Sequence, residues 1–382
     1  LYAALAGLLI GLATLTKGPV GLLIFLITFF TYFIFYHFKN FPGIKKILAF
    51  TSFFVVICLL WFGQDLWENG FWFLNKFLAY QVDLFLNPVA GHGEPFYYHF
   101  VVVFIGCFPI SILALPVFFS KISTKKNDYS RVMKILFWTV MILFSITTTK
   151  IVHYSSLAYM PLAFIAAIYL DRLITERQKI KAWVFYLLVF MGFIFSLLLA
   201  ALPYLAQHPA LLLPYLHDSY AAASLQINVD WNGYESWLGI IYFIAILFCF
   251  FIIHKKYFTK GFVLLFYATP ILLFFYLISV VPKIEKYSQG PAIEFYKSLQ
   301  GKDVYVWPIG FKSYAQYFYA KKPPTPVYGD NDEPFLLKGK IDRPAFFVVK
   351  VGDTTFDTSC SNCILIKQEG GFKFYTREPP SK

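Results

Sequence analysis

Charged residues are scarce in this chain. Asp, Glu, Lys and Arg make up 14% of its 382 residues, whereas 58% of the residues are hydrophobic and 21% are aromatic. A globular domain of this composition would be insoluble, so the ordinary soluble protein classes are excluded. The mean hydropathy of +0.61 agrees with that exclusion. The sequence therefore predicts an integral membrane protein.

Cysteine is rare as well, with five residues. Cys58, Cys107 and Cys249 fall in or beside apolar stretches, where they are most simply packing residues. Cys360 and Cys363 lie near the end of the chain, and a zinc site would need two more ligands than they supply. A redox C-x-x-C motif would need a thioredoxin-like context that the sequence lacks. On an oxidising side of the membrane, this pair favours a local disulfide.

Apolar stretches fill the first three quarters of the chain. A hydrocarbon core of about 30 Å requires about 20 apolar residues in a helix, and nine stretches approach that length. They cover residues 1–16, 18–36, 47–62, 99–119, 133–149, 154–170, 183–202, 237–253 and 262–281. After Pro282 the composition becomes mixed, so we predict a transmembrane domain over residues 1–282 and a soluble domain over residues 283–382. Residue 1 is Leu and nothing like a signal peptide precedes the first stretch, so we expect an upstream part to be missing.

The basic residues predict the orientation of these helices, because Lys and Arg in short loops are retained on the cytoplasmic side. Before Pro282, every Lys and Arg except Lys17, Lys76 and Lys150 falls in every second loop between the apolar stretches. These basic loops lie within residues 39–46, 121–134, 172–181 and 255–260. Residue 1 is therefore predicted to be cytoplasmic and residues 283–382 to be periplasmic. This anchoring accounts for most of the net charge of +12, and no nucleic-acid partner is predicted.

The last hundred residues alternate helix-like and strand-like segments. These segments cover residues 291–299, 304–307, 312–319, 345–351, 363–368 and 372–376. The last two are joined at Glu369-Gly370-Gly371 and predict a hairpin. A small α/β domain is expected.

Three polar runs lie at the outer ends of the apolar stretches. They are Thr16-Lys17-Gly18-Pro19, Gly91-His92-Gly93-Glu94-Pro95-Phe96 and Lys150-Ile151-Val152-His153-Tyr154. Charge orientation places all three on the same side of the membrane, with a long aromatic loop over residues 62–98 between the first two. That loop predicts a helix lying along the interface, or an aromatic anchor at the headgroups. Polar groups gathered at one rim are typical of an enzyme that works at a membrane face.

The basic groups of two runs suit a phosphate. Lys17 lies beside a Gly-Pro turn whose backbone amides face the same space, although a lysine that merely sets helix depth would look the same. Lys150, His153 and Tyr154 bring an ammonium, an imidazole and a phenol within five residues. Together they could bind a phosphodiester and stabilise charge on a leaving group. The alternative is that they are structural interface anchors.

The glycine-rich run predicts a shaped loop. Its His92 could bind phosphate, act as an acid or base, or ligate a metal. His92 and Glu94 are too few for a dedicated metal site, so a divalent metal would need ligands from elsewhere. No cofactor is predicted.

Residues 11–24, 77–99 and 144–163 together resemble the bacterial glycosyltransferases of the GT-C superfamily. These segments read GLATLTKGPVGLLI, FLAYQVDLFLNPVAGHGEPFYYH and FSITTTKIVHYSSLAYMPLA. The nearest group is similar to protein O-mannosyltransferases and to the aminoarabinose transferase that modifies lipid A. The resemblance in sequence covers residues 1–170. After residue 170, this chain resembles the family only in its architecture, in which further membrane spans are followed by an outer domain.

The resemblance implies an α-helical polytopic fold in a bacterial inner membrane and transfer of a sugar from a polyprenyl phosphate carrier. The acceptor would be a lipid, a glycan or a protein. An inverting displacement needs groups that hold the departing phosphate, a role that Lys17, His92, Lys150, His153 and Tyr154 match. It also needs a carboxylate that takes the proton of a hydroxyl acceptor.

The family's acidic motif lies in its first outer loop, near the protein's start, so the main base is expected upstream of this sequence. Asp83 and Glu94 are the acids that remain, and Asp83 also fits a cap of the interfacial helix.

Two rival classes also contain many spans. A transporter usually has charged or helix-breaking residues near the middle of the membrane, whereas these stretches are almost purely apolar inside. A non-catalytic anchor for the outer domain would require all three polar runs to be structural.

Overall fold

The structure is a computed structural model that describes residues 1–39, 41–87, 93–119, 128–322, 332–354, 356, 359–360 and 362–380. The described chain is mostly helical and carries one four-stranded sheet near its end. It divides into two compact units, Leu1–Leu188 and Val189–Lys382.

The first unit consists of helices. They are α1 (Tyr2–Lys17), α2 (Val20–Phe35), α3 (Ile44–Asn69), α4 (Trp72–Leu86), α5 (Tyr98–Gly106), α6 (Ile110–Phe118), α7 (Asp128–Ile146), a 3₁₀ helix (Val152–Ala158), α8 (Tyr159–Ile174) and the start of α9 (Ala182–Gln207). Helix α6 packs against α8, and its Ile112, Leu113 and Val117 are fully buried.

Helix α1 packs closely on α3 through two glycines one turn apart. A Cβ atom on Gly7 would lie 2.1 Å from the Phe50 carbonyl oxygen, and one on Gly11 would lie 2.9 Å from Ile57. Small residues four positions apart allow membrane helices to approach in this way. The Gly7 and Gly11 pair therefore fixes the position of α1, the helix that ends at Lys17.

Six of the nine predicted stretches are confirmed as helices long and apolar enough to cross a membrane. Within the described residues they are Ile44–Asn69, Tyr129–Ile146, Val152–Ile174, Ala182–Gln207, Glu235–His254 and Phe258–Ser279. The stretch 99–119 is instead two helices, α5 and α6, bent by 115° where Pro109 offers no backbone N–H. Helices α1 and α2 have 16 residues each, about 24 Å at 1.5 Å per residue. The count of nine spans is therefore not confirmed, but the chain is a multi-pass membrane protein.

The second unit begins with the rest of α9 and two short 3₁₀ helices (Pro209–Leu211 and Leu213–Tyr215). The helices that follow are α10 (Ser219–Ser224), α11 (Glu235–His254), α12 (Phe258–Ser279), α13 (Val281–Ser288) and α14 (Gly290–Ser298). Helices α11 and α12 pack together, and the buried Tyr242 hydroxyl lies 3.1 Å from the Thr269 hydroxyl between them.

A buried ion pair joins the start of α11 to α13. Glu235 is fully buried and pairs with the Lys283 ammonium. The Asn232 backbone N–H also donates to this carboxylate, at 3.2 Å. The same ammonium lies 5.3 Å from the centre of the Trp231 ring. This cluster ties the last transmembrane helices to the segment that leads into the sheet domain.

The sheet contains β1 (Tyr305–Ile309), β2 (Ala345–Lys350), β3 (Ile364–Glu369) and β4 (Phe372–Arg377) in the order β1-β2-β4-β3. Strands β1 and β2 are parallel, and the β3–β4 hairpin is antiparallel. Successive side chains of a strand point to opposite faces. Accordingly, Val348 packs in a cluster with α14, and its neighbours Phe347 and Val349 pack in the cluster on the opposite face.

The six segments predicted after residue 290 all correspond to described elements, including α15 (Ala315–Tyr319) and the hairpin. The local disulfide between Cys360 and Cys363 is present, with the two Cα atoms 5.6 Å apart. Helix α16 (Asp332–Lys338) was not predicted. Its Leu336 and Leu337 complete the core on the side of the sheet that carries Phe347.

Candidate functional site

Lys17 is the last residue of α1 and is exposed. The following Gly18 has φ 75° and ψ −165°, a conformation that is essentially restricted to glycine. A Cβ atom at Gly18 would lie 3.1 Å from Phe77 and 3.3 Å from the Gln81 amide oxygen, both on α4. The turn that presents Lys17 therefore lies directly on α4.

Gly18→Ala is expected to destabilise the protein by about 1–3 kcal/mol, because alanine would be strained in this backbone conformation. Gly63→Ala in α3 is the matched control, since its Cβ would meet only ordinary contacts with Leu59. An alanine within a helix is neutral or better than glycine by roughly 0.5–1 kcal/mol. Unfolding in detergent measures both variants, and equal effects would contradict the role of Gly18.

The end of α4 is attached to the segment that precedes Lys150. The Thr148 hydroxyl donates to the Phe85 carbonyl at 2.9 Å, and the Thr149 hydroxyl donates to the Asn87 carbonyl at 2.7 Å. Thr149 also forms an isolated antiparallel bridge with Gly93. The second polar run is therefore held against Thr149, the residue that precedes the third polar run.

Lys150 is buried, with 5% of its surface exposed. Its ammonium donates a hydrogen bond to the Thr147 carbonyl at 2.6 Å, and it forms no ion pair within the part of the chain that the structure describes. An ammonium has three N–H donors, and a buried charge is costly unless it is paired. The environment of Lys150 is thus suited to an anionic ligand.

His99 is a second buried polar group beside Lys150, close enough for the two to interact electrostatically. Its ring centre lies 6.2 Å from that of Phe144. Neither ring nitrogen has a hydrogen-bond partner among the described residues. His99 can therefore offer a donor or an acceptor next to the Lys150 ammonium.

Tyr154 also packs against Phe144, with ring centres 5.4 Å apart. It also contacts the exposed His153, at 5.0 Å between ring centres. The Tyr80 side chain of α4 lies near Tyr154. Tyr80 and Gln81 are neighbours on α4, so the same helix borders both Tyr154 and the Lys17 turn.

The two carboxylates predicted as candidate bases are both exposed. Asp83 lies near the C-terminal end of α4 and accepts a hydrogen bond from the Asn87 side chain at 2.6 Å. Asp83 is two residues after Gln81, so it lies about 200° around the helix from the face that contacts Gly18. Glu94 follows Gly93, the residue that bridges to Thr149.

His92 lies outside the described residues. Among the residues that are described, no group of three or more His, Cys, Asp and Glu side chains could hold a metal ion. The roles predicted for His92 stay predictions.

Sequence reasoning overlooked His99 and the run Thr147-Thr148-Thr149. These threonines lie within the segment 144–163 that resembles the glycosyltransferases, immediately before Lys150. A histidine that begins an apolar helix and a threonine run beside a lysine are both polar signals at the same rim. They would have been found by including every polar residue that borders a predicted span.

Solved structures identify the fold. The crystal structure of ArnT from Cupriavidus metallidurans bound to undecaprenyl phosphate matches 98% of this chain and 68% of ArnT, with a TM-score of 0.63 at 14% identity. The apo structure of the same protein matches the same shares with a TM-score of 0.67 at 13% identity. The fold is that of ArnT.

Sequence comparison gives two relatives, and no family model matches. An uncharacterised protein from Aquifex aeolicus (strain VF5) is 27% identical over 191 residues, which are 49% of this chain and 42% of that protein. The undecaprenyl phosphate-alpha-4-amino-4-deoxy-L-arabinose arabinosyl transferase of Pectobacterium carotovorum subsp. carotovorum (strain PC1) is 26% identical over 214 residues, 52% of this chain and 36% of that protein. The matches span less than half of these relatives. Together with the ArnT fold, they confirm the resemblance to lipid-linked-sugar transferases.

Proposed function

We propose that this chain is part of a glycosyltransferase that takes a sugar from undecaprenyl phosphate and attaches it to an acceptor at the outer face of a bacterial inner membrane. The observation that carries the proposal is the buried Lys150 ammonium, whose hydrogen bond within the described chain goes to one carbonyl. An anion is the ligand that such a group requires. The ArnT fold supports a lipid phosphate as that anion, since one ArnT structure is bound to undecaprenyl phosphate.

Four further groups join Lys150 in holding the phosphate. Lys17 presents its charge from the turn on α4, and Tyr154 and His153 offer a phenol and an imidazole beside Lys150. We include His92 among the phosphate-binding groups because it lies in the second polar run. These groups stabilise the negative charge that develops on the phosphate as the bond to the sugar breaks.

The reaction is an inverting displacement. An acceptor oxygen forms a bond to the anomeric carbon of the sugar, and the bond from that carbon to the phosphate oxygen breaks with its electron pair retained by undecaprenyl phosphate. The acceptor's proton passes to a carboxylate. Within this sequence, Glu94 is a better placed candidate for that base than Asp83, because the neighbouring Gly93 bridges to Thr149.

The architecture proposed with this function has all nine apolar stretches crossing the membrane and residues 283–382 in the periplasm. The alternate basic loops support this orientation. The disulfide between Cys360 and Cys363 supports it too, because disulfides persist in oxidising compartments. A hexose or pentose is the sugar class, and a lipid, glycan or protein is the acceptor class.

The test uses the full-length protein in phosphatidylcholine nanodiscs. Undecaprenyl phosphate is expected to raise the unfolding temperature, and undecaprenol, which lacks the phosphate, is not. A panel of labelled undecaprenyl phosphate sugars then tests transfer, detected as release of undecaprenyl phosphate. Equal effects of the phosphate and the alcohol would contradict the proposed carrier.

Lys17→Ala is expected to weaken undecaprenyl phosphate binding about two- to fivefold, because an exposed ion pair contributes roughly 0.2–1 kcal/mol. Lys76→Ala removes the same charge from α4, where Lys76 is exposed, and is expected to leave the affinity unchanged. Equal losses in the two variants would indicate a general electrostatic effect and remove Lys17 from the site.

A further inference from the structure

The sheet domain contains a cavity of about 220 Å³ built from residues of the second unit. At about 30 Å³ per water molecule it would hold roughly seven waters, a space comparable with one monosaccharide ring. The residues that carry the argument are Tyr220, Tyr296, Phe311, Lys312, Lys350 and Phe372. Aromatic walls with a few converging polar groups are typical of small-molecule sites.

The cavity has a positive electrostatic character. Lys312 and Lys350 line it, no carboxylate does, and neither lysine forms an ion pair within the described part of the chain. The Lys350 ammonium lies 4.5 Å from the centre of the Tyr220 ring. The first turn of α14 contributes Ala292 to the lining, and a helix N-terminus carries a partial positive charge.

Tyr296 forms part of the buried floor of the cavity. It is 1% exposed and lines the cavity, and its hydroxyl has neither exposed surface nor a hydrogen-bond partner among the described residues. Burial raises the pKa of this phenol. A ligand in the cavity would therefore contact the Tyr296 ring and not its hydroxyl.

The walls are aromatic and mutually packed. The ring centres of Tyr220 and Phe372 are 5.6 Å apart, and those of Phe311 and Phe372 are 5.5 Å apart. The Tyr220 hydroxyl donates to the Ser288 carbonyl, which holds its ring in place. Flat apolar walls of this kind fit the C–H face of a sugar ring, while the lysines fit an anionic substituent.

We propose that this cavity binds a monosaccharide ring that carries a phosphate. A phosphate monoester has a charge of about −1.5 to −2 at pH 7, which Lys312 and Lys350 complement. The sugar ring lies against the aromatic walls. The site is distinct in composition from the motifs around Lys150, and the proposal does not depend on the transfer reaction.

The test is calorimetric titration of the full-length protein in nanodiscs with glucose 1-phosphate, glucose and inorganic phosphate. Glucose 1-phosphate is expected to bind at least about tenfold more tightly than either fragment, because each fragment engages only part of the cavity. Lys312→Ala and Lys350→Ala are each expected to weaken its binding about tenfold or more. Lys302→Ala is the matched control, since Lys302 is exposed on the same domain and does not line the cavity.

Tyr296→Phe keeps the ring and removes a hydroxyl that the cavity does not expose, so it is expected to leave glucose 1-phosphate binding unchanged. Equal affinity for glucose and glucose 1-phosphate, or an equal loss with Lys302→Ala, would overturn the phosphate site.

The source of the ligand is distinguished by a second arm, which uses nanodiscs containing a glycolipid whose terminal sugar carries a phosphate. Tighter binding to this glycolipid than to glucose 1-phosphate assigns the site to a membrane headgroup, and equal binding assigns it to a soluble sugar phosphate. Binding of neither overturns the proposal. Undecaprenyl phosphate binding is measured separately, and the cavity variants are expected to leave it unchanged. Failure of the cavity proposal is therefore distinguishable from failure of the proposed function.

Discussion

Replacing Lys150 with methionine is expected to lower the affinity of the full-length protein for undecaprenyl phosphate roughly 10- to 100-fold. A hydrogen bond to a charged group contributes about 1.5–3 kcal/mol, and about 1.4 kcal/mol corresponds to a tenfold change. The effect should exceed that of Lys17→Ala because Lys150 is buried and Lys17 is exposed. Titration of undecaprenyl phosphate into nanodiscs that contain the protein measures this affinity, and the identity of the sugar need not be known.

The stability of the same variant separates a binding role from a structural one. Methionine is similar in length to lysine and carries no charge, and replacing a buried charge with a hydrophobic residue is often neutral or stabilising. We therefore expect Lys150→Met to bind poorly and to unfold at the same temperature or a higher one. Lys150→Arg keeps the charge and should retain part of the affinity. Loss of stability with unchanged affinity would assign Lys150 to the hydrogen bond with Thr147 alone.

Lys283→Met is expected to destabilise the protein by about 3–5 kcal/mol, because it leaves the fully buried Glu235 carboxylate without its cation. The Asn232 backbone N–H still donates to Glu235, but one neutral hydrogen bond does not replace a charge partner. Unfolding in detergent with increasing dodecyl sulfate provides the measurement. The expected loss is the largest of any stability change considered for this chain.

Two variants control this prediction. Lys297→Met removes the partner of Glu294 from an ion pair in which both side chains are exposed, and such pairs contribute about 0–1 kcal/mol. The double variant Lys283→Met with Glu235→Gln removes the charge along with its partner, so it should recover most of the loss. A double variant as unstable as Lys283→Met would indicate that packing of the lysine stem, rather than charge pairing, stabilises this cluster.

Much of the fold follows from local sequence patterns. Apolar length predicted six spanning helices, with every end but one within five residues of the end in the structure, because lipid permits only backbone that satisfies its own hydrogen bonds. The strand-like segment at residues 345–351 and the glycines at 370 and 371 predicted β2 and the β3–β4 hairpin. The three polar runs were chosen from residue chemistry alone, and in the first unit two of them, at Lys17 and at Lys150–Tyr154, border α4.

The remaining features depend on tertiary contacts that no single segment encodes. The stretch 99–119 is continuous in hydropathy and does not encode its 115° bend, and the proximity of His99 to Lys150 accompanies the packing of α5 on α7 and on the 3₁₀ helix. Helix α16 has only seven residues and is stabilised by packing on the sheet rather than by its own sequence.

Helix α4 meets the Lys17 turn through Phe77 and Gln81 and meets the Thr148 segment at its last turn. Each added or removed residue rotates the following part of a helix by about 100°. Between these two contacts, homologous sequences can therefore exchange side chains but cannot gain or lose one residue without separating Lys17 from Lys150. The conserved property of this helix would be its length, and an insertion there would mark a relative that no longer holds the same ligand.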